Sequence, residues 1–76
     1  MTDSERKLCE WQLGLTGDFY TQLINAAMRA DSNNFERLKL GFPELMEAIY
    51  LYKTKDGYWA KLSKQWNDRY PNSQLI

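Results

Sequence analysis

The apolar side chains of this sequence are mostly of the types that favour helices over strands. Valine is absent, isoleucine occurs only at Ile24, Ile49 and Ile76, and leucine occurs ten times. Branching at Cβ makes valine and isoleucine stiff at χ1 and suits them to a pleated sheet, whereas leucine, alanine and methionine lose little side-chain freedom in a helix. The sequence therefore predicts an all-α fold, a small single-domain bundle of four to five short helices.

The length of the chain limits it to one domain. A chain of 76 residues buries only about 60% of the surface that it exposes when unfolded, so large aromatic rings are an efficient filling for its short core. We expect a single helical domain over residues 1–70. Proline disfavours a helical residue before it, so Pro71 should end the last helix, and residues 71–76 are predicted to form a flexible C-terminal tail.

Residues that break helices divide the chain into five segments with helical periodicity. Gly14, Gly41, Gly57 and the polar segments 16–18 and 31–34 separate these stretches. A helix that continues through Gly57 is the alternative to a break there, because glycine inside a helix costs only about 1 kcal/mol relative to alanine. The predicted helices cover about residues 3–13, 19–30, 35–41, 43–53 and 58–69.

Polar residues and a proline mark where these helices should begin. Any residue of Thr2–Ser4 can cap the first helix. Asn33 and Glu36 have the spacing of a capping box for the third helix, and Asp56 is expected to cap the fifth. Pro43 suits the first position of the fourth helix, where its missing N–H has no helical partner.

Each segment places its apolar residues on one side of a helical wheel. The apolar arc of the second helix is broad, which predicts neighbouring helices on two of its sides. The residues predicted to lie in or near the core are Trp11, Phe19, Leu23, Leu38, Phe42, Leu45, Ile49, Leu62 and Trp66.

Few side chains of this sequence are suited to catalysis. There is no histidine, and Cys9 lies in mid-helix beside Glu10, without the cation or helix N-terminus that activates a reactive thiol. Glu44 and Glu47 follow the proline that begins the fourth helix, where carboxylates interact favourably with the helix dipole. We therefore expect Cys9 to be a buried, inert thiol and the protein not to be an enzyme, without catalytic, cofactor-binding or metal-binding residues.

The formal charge is balanced over the whole chain but not along it. Ten basic and ten acidic residues sum to zero, while residues 53–69 hold five cations against two carboxylates, a net charge of +3. Tyr58, Trp59 and Trp66 are interleaved with these cations. Such a mixture can contact phosphates and stack on bases, although a solvated helix face has the same pattern. The alternative function is a small nucleic-acid-binding module that contacts phosphates through Lys53, Lys55, Lys61, Lys64 and Arg69.

The fourth predicted helix carries more apolar residues than one buried stripe needs. Leu51 lies more than a right angle away from Leu45 and Ile49 on the helical wheel. Surplus apolar surface on a small domain often indicates association, although the first and fifth helices could instead bury the fourth on all sides. The leading hypothesis is a non-enzymatic protein-interaction module that binds a protein partner or a second copy of itself, with a contact surface of Met46, Tyr50, Leu51 and Tyr58.

A pattern of residues spans about positions 17–50, under half of the chain. Its residues are Gly17–Tyr20, Leu23, Ala26, Ala30–Asp31, Asn34, Leu38 and Phe42–Glu44. This pattern resembles small uncharacterised helical proteins of phages, prophages and integrated bacterial elements. The resemblance implies a compact helical protein that binds or inhibits a host or viral macromolecule, and it implies no particular binding residues.

The first residues of the chain bear on its location. Met1–Lys7 is charged and no apolar run follows it, so we expect no signal peptide. No uncharged stretch is long and apolar enough to span a bilayer. The sequence therefore predicts a cytoplasmic protein without a membrane partner.

Overall fold

The protein, described by a computed structural model over residues 1–75, folds into five α-helices, with no strand in that range. The predicted all-α fold, a small bundle of short helices, is confirmed. Ile76, which the sequence assigns to the C-terminal tail, lies outside the described residues. The helices are α1 (Asp3–Gln12), α2 (Asp18–Arg29), α3 (Ser32–Gly41), α4 (Pro43–Thr54) and α5 (Tyr58–Arg69).

Helix α4 lies at the centre of the bundle and packs against the four other helices. Met46 and Ile49 are fully buried there, and Leu45 and Ala48 are almost so. Each methylene group that leaves water stabilises the fold by about 0.8 kcal/mol, so this helix contributes much of the core energy. The other buried members of the core cluster are Leu8, Cys9, Ile24, Ala27, Tyr58, Leu62, Trp66 and Leu75.

The predicted core is largely present, with one error. Four predicted residues are buried, and four more are half-buried and pack against the core cluster. The prediction that Phe19 lies in the core is wrong, because 61% of its surface is exposed. Helices α1 and α4 cover the side of α2 that carries Ile24 and Ala27. Phe19 lies on the flank of the broad apolar arc, where its ring packs against Phe42, 5.9 Å between ring centres, and against its neighbour Tyr20.

The start of α1 is a capping box. The Thr2 hydroxyl accepts a hydrogen bond from the Glu5 N–H at 3.1 Å, and the Glu5 carboxylate accepts one from the Thr2 N–H at 2.9 Å. Both bonds satisfy backbone donors that have no partner inside the helix. Thr2 is therefore the cap among the three candidates at this end.

The caps predicted for α3 and α5 are wrong. Asp31 caps α3 by accepting a hydrogen bond from the Asn34 N–H at 2.8 Å, so Asn33 lies inside the helix. A carboxylate is a strong N-cap, and it starts the helix earlier than an Asn33 cap allows. At α5 the cap residue is Gly57 with φ +81°, and no side chain, including that of Asp56, caps the helix. A left-handed φ cannot be part of an α-helix, so Gly57 separates α4 from α5 and rules out a continuous helix.

The chain after α5 folds back onto that helix, whereas the sequence predicts a flexible tail over 71–76. The side-chain amide of Asn67 donates to the Leu75 carbonyl at 2.8 Å and accepts from the Leu75 N–H at 2.6 Å. The Trp66 ring N–H donates to the Ser73 carbonyl at 2.6 Å. Leu75 is only 6% exposed. An amide side chain can donate and accept at once, so Asn67 satisfies both backbone groups of Leu75 and holds this segment against α5.

The two glycines at positions 41 and 57 provide a matched test of the break before α5. Gly57→Ala should lower the free energy of unfolding by about 1–2 kcal/mol, because alanine is strained at the left-handed φ of +81°. Gly41→Ala should raise it by about 0.5–1 kcal/mol, because Gly41 is helical and the space around it is open. Urea unfolding measures both. Equal effects of the two substitutions would contradict the assigned backbone conformations.

Candidate functional site

The contact surface predicted from the sequence is not one patch in the structure. Met46 is fully buried and Tyr58 is 8% exposed, so neither residue presents a free side chain as predicted. Met46 faces inward because α4 is covered from several directions. Tyr50 is 53% exposed but lies with Phe35 and Lys53 in a separate hollow of about 290 Å³ between α3 and α4. Only Leu51 and Tyr58 come together.

Leu51 and Tyr58 line an open groove along α4, which we call the α4 groove. It has a volume of about 440 Å³. Leu51 is half-buried, and the ring of Tyr58 closes the groove at the start of α5. Carbon atoms form most of its floor. The residues that line it are Thr2, Glu5, Pro43, Glu44, Glu47, Ala48, Leu51 and Tyr58.

Three helix starts position the walls of the α4 groove. The capping box places Thr2 and Glu5 at the start of α1, Pro43 begins α4, and Gly57 sets the direction in which α5 leaves. Proline at the first helical position is already held near a helical φ. Each wall therefore rests on a local feature that the sequence can encode, while their meeting depends on packing.

A hydrogen bond joins two walls of the α4 groove. The Tyr58 hydroxyl donates to the Glu5 carboxylate at 2.8 Å across 53 residues of sequence. Burial by itself raises the pKa of Glu5, but hydrogen bonds from Thr2 and Tyr58 outweigh it, and the pKa lies below its usual value of 4.5. The pKa of Tyr58 is raised, first by burial and then by this hydrogen bond and the nearby carboxylates, Glu47 among them. Glu5 is therefore ionised and Tyr58 neutral near pH 7.

The rim of the α4 groove is acidic. Glu5, Glu44 and Glu47 line it, and none of its lining residues is a lysine or arginine. Glu44 and Glu47 are exposed, and neither takes part in an ion pair within residues 1–75. The α4 groove thus combines an apolar floor with a rim of three carboxylates, of which Glu44 and Glu47 take part in no ion pair within residues 1–75.

The five cations of the alternative phosphate-contact set are exposed, and three of them have a contact partner within the fold. Lys64 pairs with Asp68 at 3.0 Å, and the Lys53 ammonium donates to the Met28 carbonyl at 3.3 Å. Arg69 lies over the Tyr70 ring, 5.7 Å from its centre. One of these contacts is made from α4, and the other two are made from α5. All five residues, namely Lys53, Lys55, Lys61, Lys64 and Arg69, are exposed.

The aromatic rings interleaved with these cations in the sequence pack inward. Trp66 is 3% exposed, and Trp59 packs edge-on against Tyr52 with ring centres 5.2 Å apart. Tyr58 closes the α4 groove and bonds Glu5. Bases stack on open ring faces, and these rings do not offer such faces beside the cations.

Two exposed apolar residues at and just before the start of α2 are absent from the predicted contact surface. Phe19 is 61% exposed and Leu15 is 62% exposed. The breadth of the apolar arc of α2 was the available signal, because α1 and α4 cannot cover all of it. Leu40 is 87% exposed, but it stands alone among polar residues of α3, which is common for a surface leucine.

Cys9 is fully buried, as predicted. Burial raises its pKa to about 11, and the charges of Glu5 and Glu10 act in the same direction. The protonated thiol is a poor nucleophile and a poor metal ligand. Residues 1–75 contain no group of three or more His, Cys, Asp or Glu side chains that could hold a metal ion. No helix in the same range is both long enough and apolar enough to cross a bilayer.

Removal of the Tyr58 hydroxyl should weaken the link between α1 and α5. We expect Tyr58→Phe to lower the free energy of unfolding by about 1–2 kcal/mol at neutral pH, because a hydrogen bond to an ionised carboxylate is lost. The pKa of Glu5 is lowered in the folded state, so its stabilisation is present above its unfolded value of 4.5 and is lost as the pH falls through the folded value. Chemical denaturation across this range should show the difference shrink in acid. Tyr50→Phe, an exposed control, should have no effect at any pH.

The buried Cys9 thiol should be protected from chemical modification, and its raised pKa should lower the stability of the fold at high pH. The unfolded thiol ionises near 9.0 and the folded one near 11, so the unfolded state loses its proton first and stability falls between these values, by about 2–3 kcal/mol in total. Cys9→Ala should show a shallower fall over the same range.

At neutral pH a disulfide reagent should modify Cys9 only in denaturant. Rapid modification of the native protein would contradict the burial.

No protein-family model, curated protein or solved structure matches this chain. The resemblance of residues 17–50 to phage and prophage proteins therefore stays a prediction. A function for this chain has to be inferred from the α4 groove and from the chemistry of its own side chains.

Proposed function

We propose that this protein is a non-enzymatic protein-interaction module that binds a partner through the α4 groove. The observation that carries the proposal is the uncovered apolar floor beside Leu51 on the central helix. Leu45, Met46 and Ile49 of α4 are buried in the core, whereas Leu51 is only half-buried and opens onto a groove of about 440 Å³. An apolar floor with a polar rim is the usual anatomy of a protein contact.

The side chains support binding more than catalysis. The sequence lacks histidine, and the pKa of its only thiol is raised to about 11. Tyr58 brings a phenol hydroxyl to the α4 groove, but its pKa is raised and the hydroxyl donates its hydrogen bond to Glu5. A general acid or base works best with a pKa near the working pH. The groove is therefore better suited to holding a side chain than to transferring a proton.

The resemblance of residues 17–50 supports a biological setting for this interaction. Within the proposal, the protein is a phage or prophage product that acts in the cytoplasm and binds or inhibits a host or viral macromolecule. Binding through a groove needs no cofactor, which agrees with this setting.

Nucleic-acid binding through Lys53, Lys55, Lys61, Lys64 and Arg69 remains the alternative, and the geometry favours it less. The neighbouring rings are packed inward, and two of the cations already have partners within the fold. Phosphate contacts make affinity strongly dependent on salt. Titration of labelled single-stranded and duplex DNA at two salt concentrations distinguishes protein binding from nucleic-acid binding. Tight, salt-dependent binding would favour the nucleic-acid-binding function.

Site-specific photo-crosslinking tests the proposed function. A photoreactive phenylalanine analogue at position 51 should give a discrete adduct with a second protein in cells that carry the natural partner. The same analogue at position 40 is the matched control, because Leu40 is also an exposed helical leucine but lies on α3 outside the groove. We expect the adduct from position 51 only.

Charge substitutions at the same two leucines complete this test. Leu51→Glu should reduce capture of the cross-linked partner by at least about tenfold, because it buries an unpaired charge in the contact. Leu40→Glu should leave capture unchanged. Circular dichroism and thermal melting verify that both variants fold. Equal adducts from the two positions, or full capture by Leu51→Glu, would overturn the proposed function.

A further inference from the structure

The exposed face of α4 has the spacing of a helix-docking surface. Glu44, Glu47 and Leu51 follow one another at spacings of three and four residues, so they form one stripe along the groove side of the helix, with the nearly buried Ala48 beneath it. Such a stripe matches the repeat of an amphipathic helix laid beside it. Glu5 at the start of α1 and the Tyr58 ring are hydrogen-bonded to each other and bound the stripe together, while the exposed Glu44 and Glu47 stay accessible.

The charges of the α4 groove restrict what can occupy it. Three carboxylates lie at its rim, and none of the residues that line it is cationic. Glu5 is committed to the capping box and to Tyr58, whereas Glu44 and Glu47 have exposed carboxylates outside every ion pair within residues 1–75. An occupant with lysine or arginine opposite these two residues gains attraction and on-rate, and an acidic occupant is repelled.

A second copy of this chain fits the α4 groove poorly. In a two-fold dimer the same surface faces itself, so both sides of the contact carry Glu44 and Glu47 and neither groove lining supplies a lysine or arginine to pair with them. A head-to-tail contact could use the basic outer face of α5, where Lys61 and Lys64 lie on the side away from the core. That face carries Asp68 as well and no large apolar side chain, so it cannot fill the apolar floor.

We propose that the α4 groove accepts a cationic amphipathic helix of another protein, and this inference rests on the proposed function. Leucine-like side chains of the partner fill the floor beside Leu51, Ala48 and Pro43. Lysine or arginine side chains one turn away face Glu44 and Glu47. Apolar burial supplies most of the affinity, while the carboxylates select the sign of the partner's charge and its orientation.

Three synthetic peptides of about 15 residues test the partner chemistry, this length being sufficient for a helix to form on binding. The first has leucine at helical spacing with lysine on its flanks. The second replaces each lysine by glutamate, and the third keeps lysine but replaces each leucine by serine. Amide chemical shifts of the labelled protein report binding and its location. We expect only the first peptide to bind, with shifts centred on Glu47, Leu51 and Tyr58.

Charge reversal gives an independent readout of the carboxylates. Glu47→Lys should weaken binding of the lysine–leucine peptide by about threefold or more, and Glu44→Lys combined with Glu47→Lys by about tenfold. The double variant should gain affinity for the glutamate–leucine peptide. Glu36→Lys, which makes the same charge change on an exposed residue of α3, should change neither affinity. Higher salt should weaken the wild-type complex.

Several results overturn this inference. They are equal binding of the acidic and basic peptides, shifts outside the α4 groove, or no binding of the lysine–leucine peptide at low salt. A specific adduct from position 51 together with failure of the basic peptide would refute the partner chemistry and leave the proposed function standing. Failure of the position 51 cross-link refutes the proposed function itself.

Discussion

The packing of α1, α2, α3 and α5 around α4 holds this small molecule together. A chain of 76 residues has few large apolar side chains, and the fully buried Met46 and Ile49 show how α4 gathers contacts from several sides at once. The arrangement has a geometric consequence. Four helices cannot enclose a fifth along its whole circumference, so the stripe with Glu44, Glu47 and Leu51 stays uncovered. The candidate site is thus the gap that the core leaves open.

The hydrogen bond from Tyr58 to Glu5 connects this core to the α4 groove. It joins the beginnings of α1 and α5 at 2.8 Å, and the same carboxylate completes the capping box with Thr2. One ionised group therefore serves helix initiation, interhelical contact and the acidic rim together. A buried phenol that donates to a charged partner is strongly oriented, so this wall of the groove is preformed rather than shaped by a ligand.

Sequence reasoning located the helices and much of the core, and it divided the site incorrectly. It assigned Met46 and Leu51 to one contact surface, but Met46 is fully buried and Leu51 is half-buried at the groove. Both residues lie away from the main stripe of α4, and periodicity alone does not say which side receives a neighbour. The same difficulty affected Phe19, which lies on the uncovered flank of an apolar arc. The acidic rim was visible only as two glutamates after Pro43, because the third carboxylate comes from another helix.

The sequence by itself determined the all-α class and the approximate bounds of the helical segments, because caps, prolines and glycines act within about one helical turn of where they stand, but it left open whether the helix continues through Gly57. Only the tertiary structure decided which apolar faces are covered, that Asn67 holds the chain after α5, and that Glu5 and Tyr58 meet across 53 residues. Those outcomes depend on the directions in which helices leave their turns. A small change in the direction of a helix changes which of its faces is buried, and a local sequence pattern does not determine that direction.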